Sequence, residues 1–209
     1  MKVYALVGGT AAGKSTVARR IARRYGGHWI EADRVGHQVL RLQRVRQRLL
    51  ALFGPGIVGP DGAIDRRRLG RRVFGDPARL AALDRVVHPE IASRVRLRIA
   101  AFERRGATFV LLDAALFFEI DLGQPVDGVL AVVAPRMVRR QRLLDRGRWT
   151  LAEIDARLES QPSVGAWARR ADVRLINDGD RRRLDARIDV AWKALRRVRT
   201  RRRRVKGKT

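Results

Sequence analysis

Residues 6–20 read LVGGTAAGKSTVARR, and this stretch decides the fold of the chain. The apolar run that leads into the glycines, residues 3–7, has the β-branched content of a buried strand. After them, Val17, Ile21 and Ala22 recur at helical spacing among arginines, which predicts an amphipathic helix. A glycine-rich link between a strand and a helix is typical of a phosphate-binding loop. The alternative is an ordinary turn that matches the pattern by chance.

The link contains the residue types that binding a nucleotide phosphate requires. Gly8 and Gly13 let the backbone bend so that successive N–H groups point at an anion, and the helix that follows adds its positive dipole end. Lys14 can reach the β- and γ-phosphates, and the Ser15 hydroxyl is placed to ligate Mg²⁺. Thr16 could contact the α-phosphate or only satisfy the first helical turn. The predicted nucleotide-binding residues of the loop are Gly8, Ala11, Ala12, Gly13, Lys14, Ser15 and Thr16.

Length and composition indicate one domain of ordinary size. The 209 residues suffice for a sizeable core, and no apolar run is long enough to span a membrane. The first strand leads into the glycine-rich loop and not to a cleavage site, so we expect no signal peptide. Because the chain has no cysteine, disulfides, thiolate metal sites and a cysteine nucleophile are excluded. These features fit a cytoplasmic enzyme.

The net charge of +26 is unusual, and nearly all of the basic residues are arginine. This composition indicates a bias of the source genome as much as a function. Residues 194–209 carry nine positive charges and no negative one, and we expect disorder beyond about residue 200. Such a surface attracts polyanions non-specifically. A solvated charge run and a nucleic-acid-binding tail both remain open at this point.

The rest of the chain alternates predicted strands with predicted helices. Alternation of this kind predicts an α/β fold, with a parallel five-stranded sheet and helices on both faces. Asp76-Pro77 is a helix start signal, Gly106 is a stop signal, and Thr150 with Glu153 forms a capping box. After the first strand and helix, we predict strands at 28–33, 108–112, 127–134 and 171–178, and helices over about 34–52, 64–74, 76–105, 135–147, 150–161 and 180–200.

Carboxylates stand at two of the predicted strand ends. In a parallel sheet, ligands collect at the carboxyl ends of the strands. Asp33, together with Glu31, closes the second predicted strand, and Asp113 closes the third. A carboxylate there could orient or deprotonate an attacking hydroxyl, or hold Mg²⁺ through water. Helix capping is the alternative, above all for Asp33, and Glu119 is a further candidate of the same kind.

An arginine-rich segment at 136–161 follows the fourth predicted strand. Transfer of a γ-phosphoryl group requires charge stabilisation and exclusion of water, and a flexible segment that bears arginines supplies both. In a chain so rich in arginine, any single one is more often surface decoration. Arg142 and Arg146 are one helical turn apart on one face, so these two are our candidates.

Several further motifs accompany the phosphate loop along the chain. In order, the stretches are GGTAAGKST, EADRVGH, GAIDRRRLGRRVF, HPEI, LLDAALFFE, RQRLLDR, ESQ and ADVRLINDGD. In this order they resemble the dephospho-coenzyme A kinase family. The resemblance covers roughly residues 3–185. The phosphate loop is shared by many kinases, whereas the ordered set of the other motifs is much more specific.

The resemblance implies transfer of the γ-phosphoryl group of ATP, with Mg²⁺, to the ribose 3′-hydroxyl of dephospho-coenzyme A, the last step of coenzyme A synthesis. It implies that Asp33 is the base and orients the hydroxyl, that Arg142 and Arg146 belong to a lid, and that Asn177 lies near the adenine. Mg²⁺ would be held by Ser15 and, through water, Asp113. The residues implied at the acceptor are His37, Asp65, Arg66, His88, Asp113, Phe117 and Glu119.

The resemblance also implies how the chain is divided. Residues 1–200 would form a single P-loop kinase domain, with a helical acceptor-binding insertion at about 54–105 and the lid at about 136–161. Residues 201–209 would be a basic, disordered tail. The chain departs from the family pattern at Glu31, Ala115 and Phe117, where the family has Asp, Pro and Leu. The last two departures bear on the shape of the acceptor site.

Two other functions compete with this interpretation. One is a P-loop kinase that acts on another nucleoside, nucleotide or small alcohol, which would not need the long helical insertion. The other is a basic nucleic-acid-binding NTPase, which predicts base-stacking aromatic residues among the basic ones. Aromatic residues are sparse, and the chain has none after Trp192. We therefore expect ATP and dephospho-coenzyme A as partners, no membrane, and at most non-specific polyanion binding by the tail.

Overall fold

A parallel sheet forms the centre of the protein. The structure is a computed structural model, and it describes residues 1–114, 117–118, 125–147, 149–159, 161 and 168–198. Its strands are β1 (Lys2–Val7), β2 (His28–Glu31), β3 (Phe109–Asp113), β4 (Gly128–Val133) and β5 (Val173–Ile176). They form one sheet of five strands in the order β2-β3-β1-β4-β5, and all the pairs are parallel. The predicted sheet is therefore confirmed.

Helices cover both faces of this sheet, as predicted. They are α1 (Lys14–Tyr25), α2 (Ala32–Val39), α3 (Gln43–Phe53), α4 (Arg66–Val73), α5 (Pro77–Arg104), α6 (Arg136–Leu144), α7 (Leu151–Glu159) and α8 (Arg181–Arg197), with a 3₁₀ turn at Pro55–Ile57. The side chains of a strand alternate between faces, so Tyr4 and Leu6 of β1 pack in one cluster and Val3 and Ala5 in the other. The first cluster lies under α1 and α8, and the second under α2 to α5.

The signals for helix ends are confirmed. Asp76 caps α5 by accepting hydrogen bonds from the next turn, and Gly106 follows the helix with a φ of 76°. The capping box before α7 forms, because the Thr150 N–H donates to Glu153 at 2.8 Å and the Glu153 N–H donates to the Thr150 hydroxyl at 3.3 Å. Asp180 caps α8 in the same way as Asp76 caps α5.

Several predicted boundaries were wrong. β5 spans Val173–Ile176 and not 171–178, and the helix predicted over 135–147 ends at Leu144. The second strand ends at Glu31, two residues before the predicted end, and Asp33 lies in the first turn of α2. The register explains this end, because Glu31 pairs with Asp113, the last residue of β3, and no partner remains for the next residue. The single helix predicted over 34–52 is two helices, α2 and α3, separated at residues 40–42.

The helical segment 54–105 does not have a core of its own. Leu69 and Val73 of α4 and Val95 of α5 lie in the same hydrophobic cluster as Val3 of β1 and Val110 of β3. The division into insertion, lid and core therefore stays a prediction about motion and binding. The basic tail at 201–209 lies outside the described residues. Among the helices that the structure does describe, none is long and apolar enough to cross a membrane.

Candidate active site

The loop between β1 and α1 has a shape that depends on its glycines. Gly8 has a φ of 147°, and a Cβ at this position would lie 2.2 Å from the backbone oxygen of Val132 in β4. Gly13 has a φ of 95°, and a Cβ there would lie 2.2 Å from Nδ2 of Asn177. Side chains are excluded at both positions by conformation and by contact. The loop therefore lies close against the ends of β4 and β5.

Lys14 and Ser15 are oriented by hydrogen bonds across this loop. The Lys14 ammonium donates to the backbone oxygen of Gly8 at 3.1 Å. The Ser15 hydroxyl donates to Oδ2 of Asp113 at 2.8 Å. Lys14 thus reaches back over the loop, and Ser15 joins it to the end of β3. These positions are compatible with the predicted roles of the two side chains in phosphate and metal binding.

Three carboxylates meet at the carboxyl edge of β2 and β3. Asp113 is only 6% exposed, and burial raises the pKa of its carboxyl group. The Lys14 charge and the Ser15 hydrogen bond lower this pKa, whereas the charges of Asp33 and Glu31 raise it. Asp33 and Asp113 therefore lie within electrostatic range of one another, even though Asp33 belongs to a helix.

The donor set at this edge fits Mg²⁺. A serine hydroxyl and a carboxylate are hard oxygen ligands, and Mg²⁺ in phosphoryl-transfer sites is held by one or two carboxylates together with substrate phosphates. Within the described residues, no group of three or more His, Cys, Asp or Glu side chains could hold a metal by itself. The residues here suit an ion that arrives with a nucleotide, and Ser15 and Asp113 are the two that would hold it.

A cavity of about 360 Å³ lies on the other side of the loop, next to α1 and the end of β5. Its volume is within the range of small-molecule sites. Of the predicted residues, it brings together the loop, Asn177 and both lid arginines. Its lining residues are Ala11, Gly13, Thr16, Arg20, Arg142, Arg146, Asn177, Gly179 and Leu184.

Arg142 and Asn177 hold one another and the loop in this cavity. Arg142 donates to the backbone oxygen of Ala11 at 3.0 Å and to Oδ1 of Asn177 at 2.9 Å. Asn177 is 4% exposed, and its amide donates to the backbone oxygen of Ala12 at 2.8 Å. Burial lowers the pKa of Arg142, and the charge of Arg146 lowers it further. Arg146 itself is exposed at the mouth of the cavity.

His37, implied at the acceptor, lies within electrostatic range of both Asp33 and Arg66. Desolvation by the surrounding protein lowers the pKa of His37, and the charge of Arg66 lowers it further, whereas the charge of Asp33 raises it. The imidazole is therefore mainly neutral at pH 7. Arg66, in the first turn of α4, therefore acts electrostatically on His37 of α2.

Three other residues implied at the acceptor have structural partners. Asp65 caps α4, where its carboxylate accepts from the N–H groups of Arg67 and Arg68, and these hydrogen bonds lower the pKa of Asp65. His88 contacts Asp84, one turn earlier in α5, at 3.1 Å. Phe117 is 2% exposed and belongs to the hydrophobic core, so it does not line an open surface. Their contacts with an acceptor stay predictions, and Glu119 and Ala115 lie outside the described residues.

Sequence reasoning missed two residues that contact the loop. Arg139 of α6 donates to the backbone oxygen of Thr10 at 2.9 Å, and Gln161 accepts from the Thr10 N–H at 2.9 Å. The stretch ESQ, which contains Gln161, was a signal for the second of these. No signal marked Arg139, because a single arginine among many is typical of a surface position.

The comparisons with known proteins point to one family. The family model described as dephospho-CoA kinase matches residues 2–182. A dephospho-CoA kinase of Symbiobacterium thermophilum is 36% identical over 93% of this chain and 81% of its own length. One from Moorella thermoacetica is 37% identical, over 94% of this chain and 93% of its own length. The crystal structure of TT1252 from Thermus thermophilus is 31% identical, with a TM-score of 0.76 over 93% of this chain and 97% of that one.

Proposed function

The chain belongs to the dephospho-CoA kinase family, and we propose that it transfers the γ-phosphoryl group of ATP to the ribose 3′-hydroxyl of dephospho-CoA, with Mg²⁺. One observation carries the chemistry: Ser15 of the phosphate loop is hydrogen-bonded to Asp113, at the edge where Asp33 also lies. A phosphate donor and a hydroxyl-activating carboxylate can therefore meet there. The family match favours this function over another small-molecule kinase and over a nucleic-acid-binding NTPase.

The phosphates of ATP would bind the loop and the first turn of α1. Backbone N–H groups there and the positive end of the helix dipole attract the anion. The Lys14 ammonium already crosses the loop to Gly8, so it would meet the β- and γ-phosphates without a large movement. When bound by Ser15 and Asp113, Mg²⁺ would neutralise charge that develops on the phosphate oxygens. The adenine would occupy the cavity beside Arg142 and Asn177.

Asp33 would orient the acceptor and receive its proton. As the 3′-oxygen bonds to the γ-phosphorus, the bond from that phosphorus to the β,γ-bridging oxygen breaks, ADP leaves, and the hydroxyl proton passes to the Asp33 carboxylate. His37, which lies within electrostatic range of both Asp33 and Arg66, would contact the acceptor together with Arg66. Most of the rate enhancement would come from position and electrostatics, because the transition state of phosphoryl transfer is loose.

The lid arginines would complete the charge environment. Arg142 already lies against the loop through its hydrogen bonds to Ala11 and Asn177. Arg146 lies exposed at the cavity mouth, where a movement of the lid would bring it towards the phosphates. A closed lid would also exclude water, which limits hydrolysis of ATP.

A coupled assay of ADP release tests the proposal. The protein is supplied with ATP and Mg²⁺ and with dephospho-CoA, adenosine, AMP, CMP or no acceptor. We expect rapid ADP release only with dephospho-CoA, and its near loss in Lys14→Ala, which keeps the fold but removes the phosphate-binding ammonium. Equal release with another acceptor would overturn the substrate, and release stimulated by nucleic acid would overturn the class of function.

A further inference from the structure

Arg139 is a buried cation beneath the phosphate loop. Only 4% of the residue is exposed, and burial lowers the pKa of its guanidinium. Among the described residues, no carboxylate forms an ion pair with it. Its contacts are instead neutral oxygens, the Thr10 carbonyl at 2.9 Å and Oε1 of Gln161 at 2.8 Å. A buried charge without a counter-ion is costly. The burial of Arg139 under this loop therefore indicates that the residue has a function there.

Gln161 completes the contact from the other end of the lid segment. Its Oε1 accepts from the Thr10 N–H at 2.9 Å, and its amide donates to the Thr10 hydroxyl. Together, Arg139 and Gln161 bind the N–H, the carbonyl and the hydroxyl of Thr10. Arg139 lies near the start of the lid segment, in α6, and Gln161 lies at the end of the segment, two residues after α7. Both ends of this segment are therefore fastened to one residue of the loop.

The guanidinium also explains why residue 9 is glycine. Gly9 does not have the left-handed φ of Gly8 and Gly13, so its backbone would accept a side chain. A Cβ at Gly9, however, would lie 2.8 Å from Cζ of Arg139. Arg139 thus packs directly against the first part of the loop.

We propose that Arg139 and Gln161 are positioning residues for ATP: they hold the Gly9–Thr10 part of the loop in its phosphate-binding shape and join that shape to the lid segment. The positive charge of Arg139 adds to the attraction of the loop for the nucleotide phosphates, which supply the counter-ion that the described protein lacks. The inference rests on the proposed function only in that the loop binds ATP, so it is tested without an acceptor.

Calorimetric titration of the full chain with Mg²⁺-ATP tests whether Arg139 and Gln161 position the loop for ATP. We expect Arg139→Gln and Gln161→Leu each to raise the Kd about tenfold, which corresponds to about 1.4 kcal/mol. The matched control is Arg140→Gln, because the neighbouring Arg140 binds Asp155 of α7 and does not contact the loop. An unchanged Kd in both Arg139→Gln and Gln161→Leu, with a lowered melting temperature, would show a structural role only and would overturn the proposal.

A double-mutant cycle tests the contact itself. In the natural background, Gly9→Ala should weaken ATP binding, because the added methyl group displaces the Arg139 guanidinium. In the Arg139→Gln background, the same change should cost much less, since the shorter side chain leaves room. Equal losses in the two backgrounds would mean that the positions are independent, and the assignment of Arg139 would then be wrong.

Discussion

The close approach of Gly8 to β4 leads to a prediction that one substitution can test. In Gly8→Ala, the new methyl carbon would lie 2.2 Å from a backbone oxygen of a buried strand, and the φ of 147° would be strained for alanine. Strain of about 1–3 kcal/mol and overpacking of about 1–3 kcal/mol together give a loss of about 2–6 kcal/mol. The backbone of a buried strand cannot move away as a flexible side chain can. We therefore expect little of the strain and overpacking to be relieved.

Gly106→Ala is the matched control. Gly106 also has a positive φ, 76°, but a Cβ there would have nothing within 4 Å. The loss of stability in Gly106→Ala should therefore come from backbone strain alone, about 1–2 kcal/mol. For a chain of this size, thermal unfolding followed by circular dichroism should show a fall in Tm of roughly 4–24 °C for Gly8→Ala and roughly 2–8 °C for Gly106→Ala. If Gly8→Ala is no less stable than the control, the close approach does not constrain the loop.

Three further predictions concern the site and the lid. Asp33→Asn should depress kcat, measured by steady-state kinetics, much more than ATP affinity, measured by titration. Equal losses of both would contradict the role of Asp33 as the residue that orients the hydroxyl and accepts its proton. Because burial raises the pKa of Asp113 in the free protein, kcat/KM for Mg²⁺-ATP, which reports the free enzyme, should begin to fall with acidification at a higher pH than an exposed aspartate would give, and the Asp113→Asn variant should lack this limb of the pH profile. The same raised pKa makes the contribution of Asp113 to stability greatest at low pH, and that contribution is lost as the pH rises through the folded-state pKa. Thr150→Ala should lower the stability by about 1 kcal/mol through loss of the capping box, and a melting curve identical to that of the natural chain would contradict the observed cap.

Local signals predicted much of the fold because they act over a few residues. The caps at Asp76, Thr150 and Asp180 are set by hydrogen bonds to the next turn of the same helix, so the sequence contains both partners. The end of β2 is different, because it depends on where β3 stops. Glu31 pairs with Asp113, which is far away in the sequence, and no pattern within residues 28–33 records that limit.

The residues of the site also differ in whether neighbours in the sequence or distant contacts determine them. The loop residues could be predicted because the glycines, Lys14 and Ser15 are close together in the chain. Arg139 could not, because its burial depends on the Thr10 carbonyl, 129 residues away. In the helical pattern of α6 it shares the buried face with Leu143, where an apolar residue is expected. Because the chain contains many exposed arginines, nothing in the sequence distinguished this buried one.

The hydrogen bond between Lys14 and Gly8 has a thermodynamic consequence for nucleotide binding. Ordering a free lysine side chain costs up to roughly 1.5–2 kcal/mol of rotamer entropy. Since the fold itself holds the Lys14 ammonium across the loop at 3.1 Å from the Gly8 oxygen, most of this entropy is lost when the chain folds and not when ATP binds. The binding entropy of ATP should accordingly be less unfavourable than for a loop whose lysine is disordered.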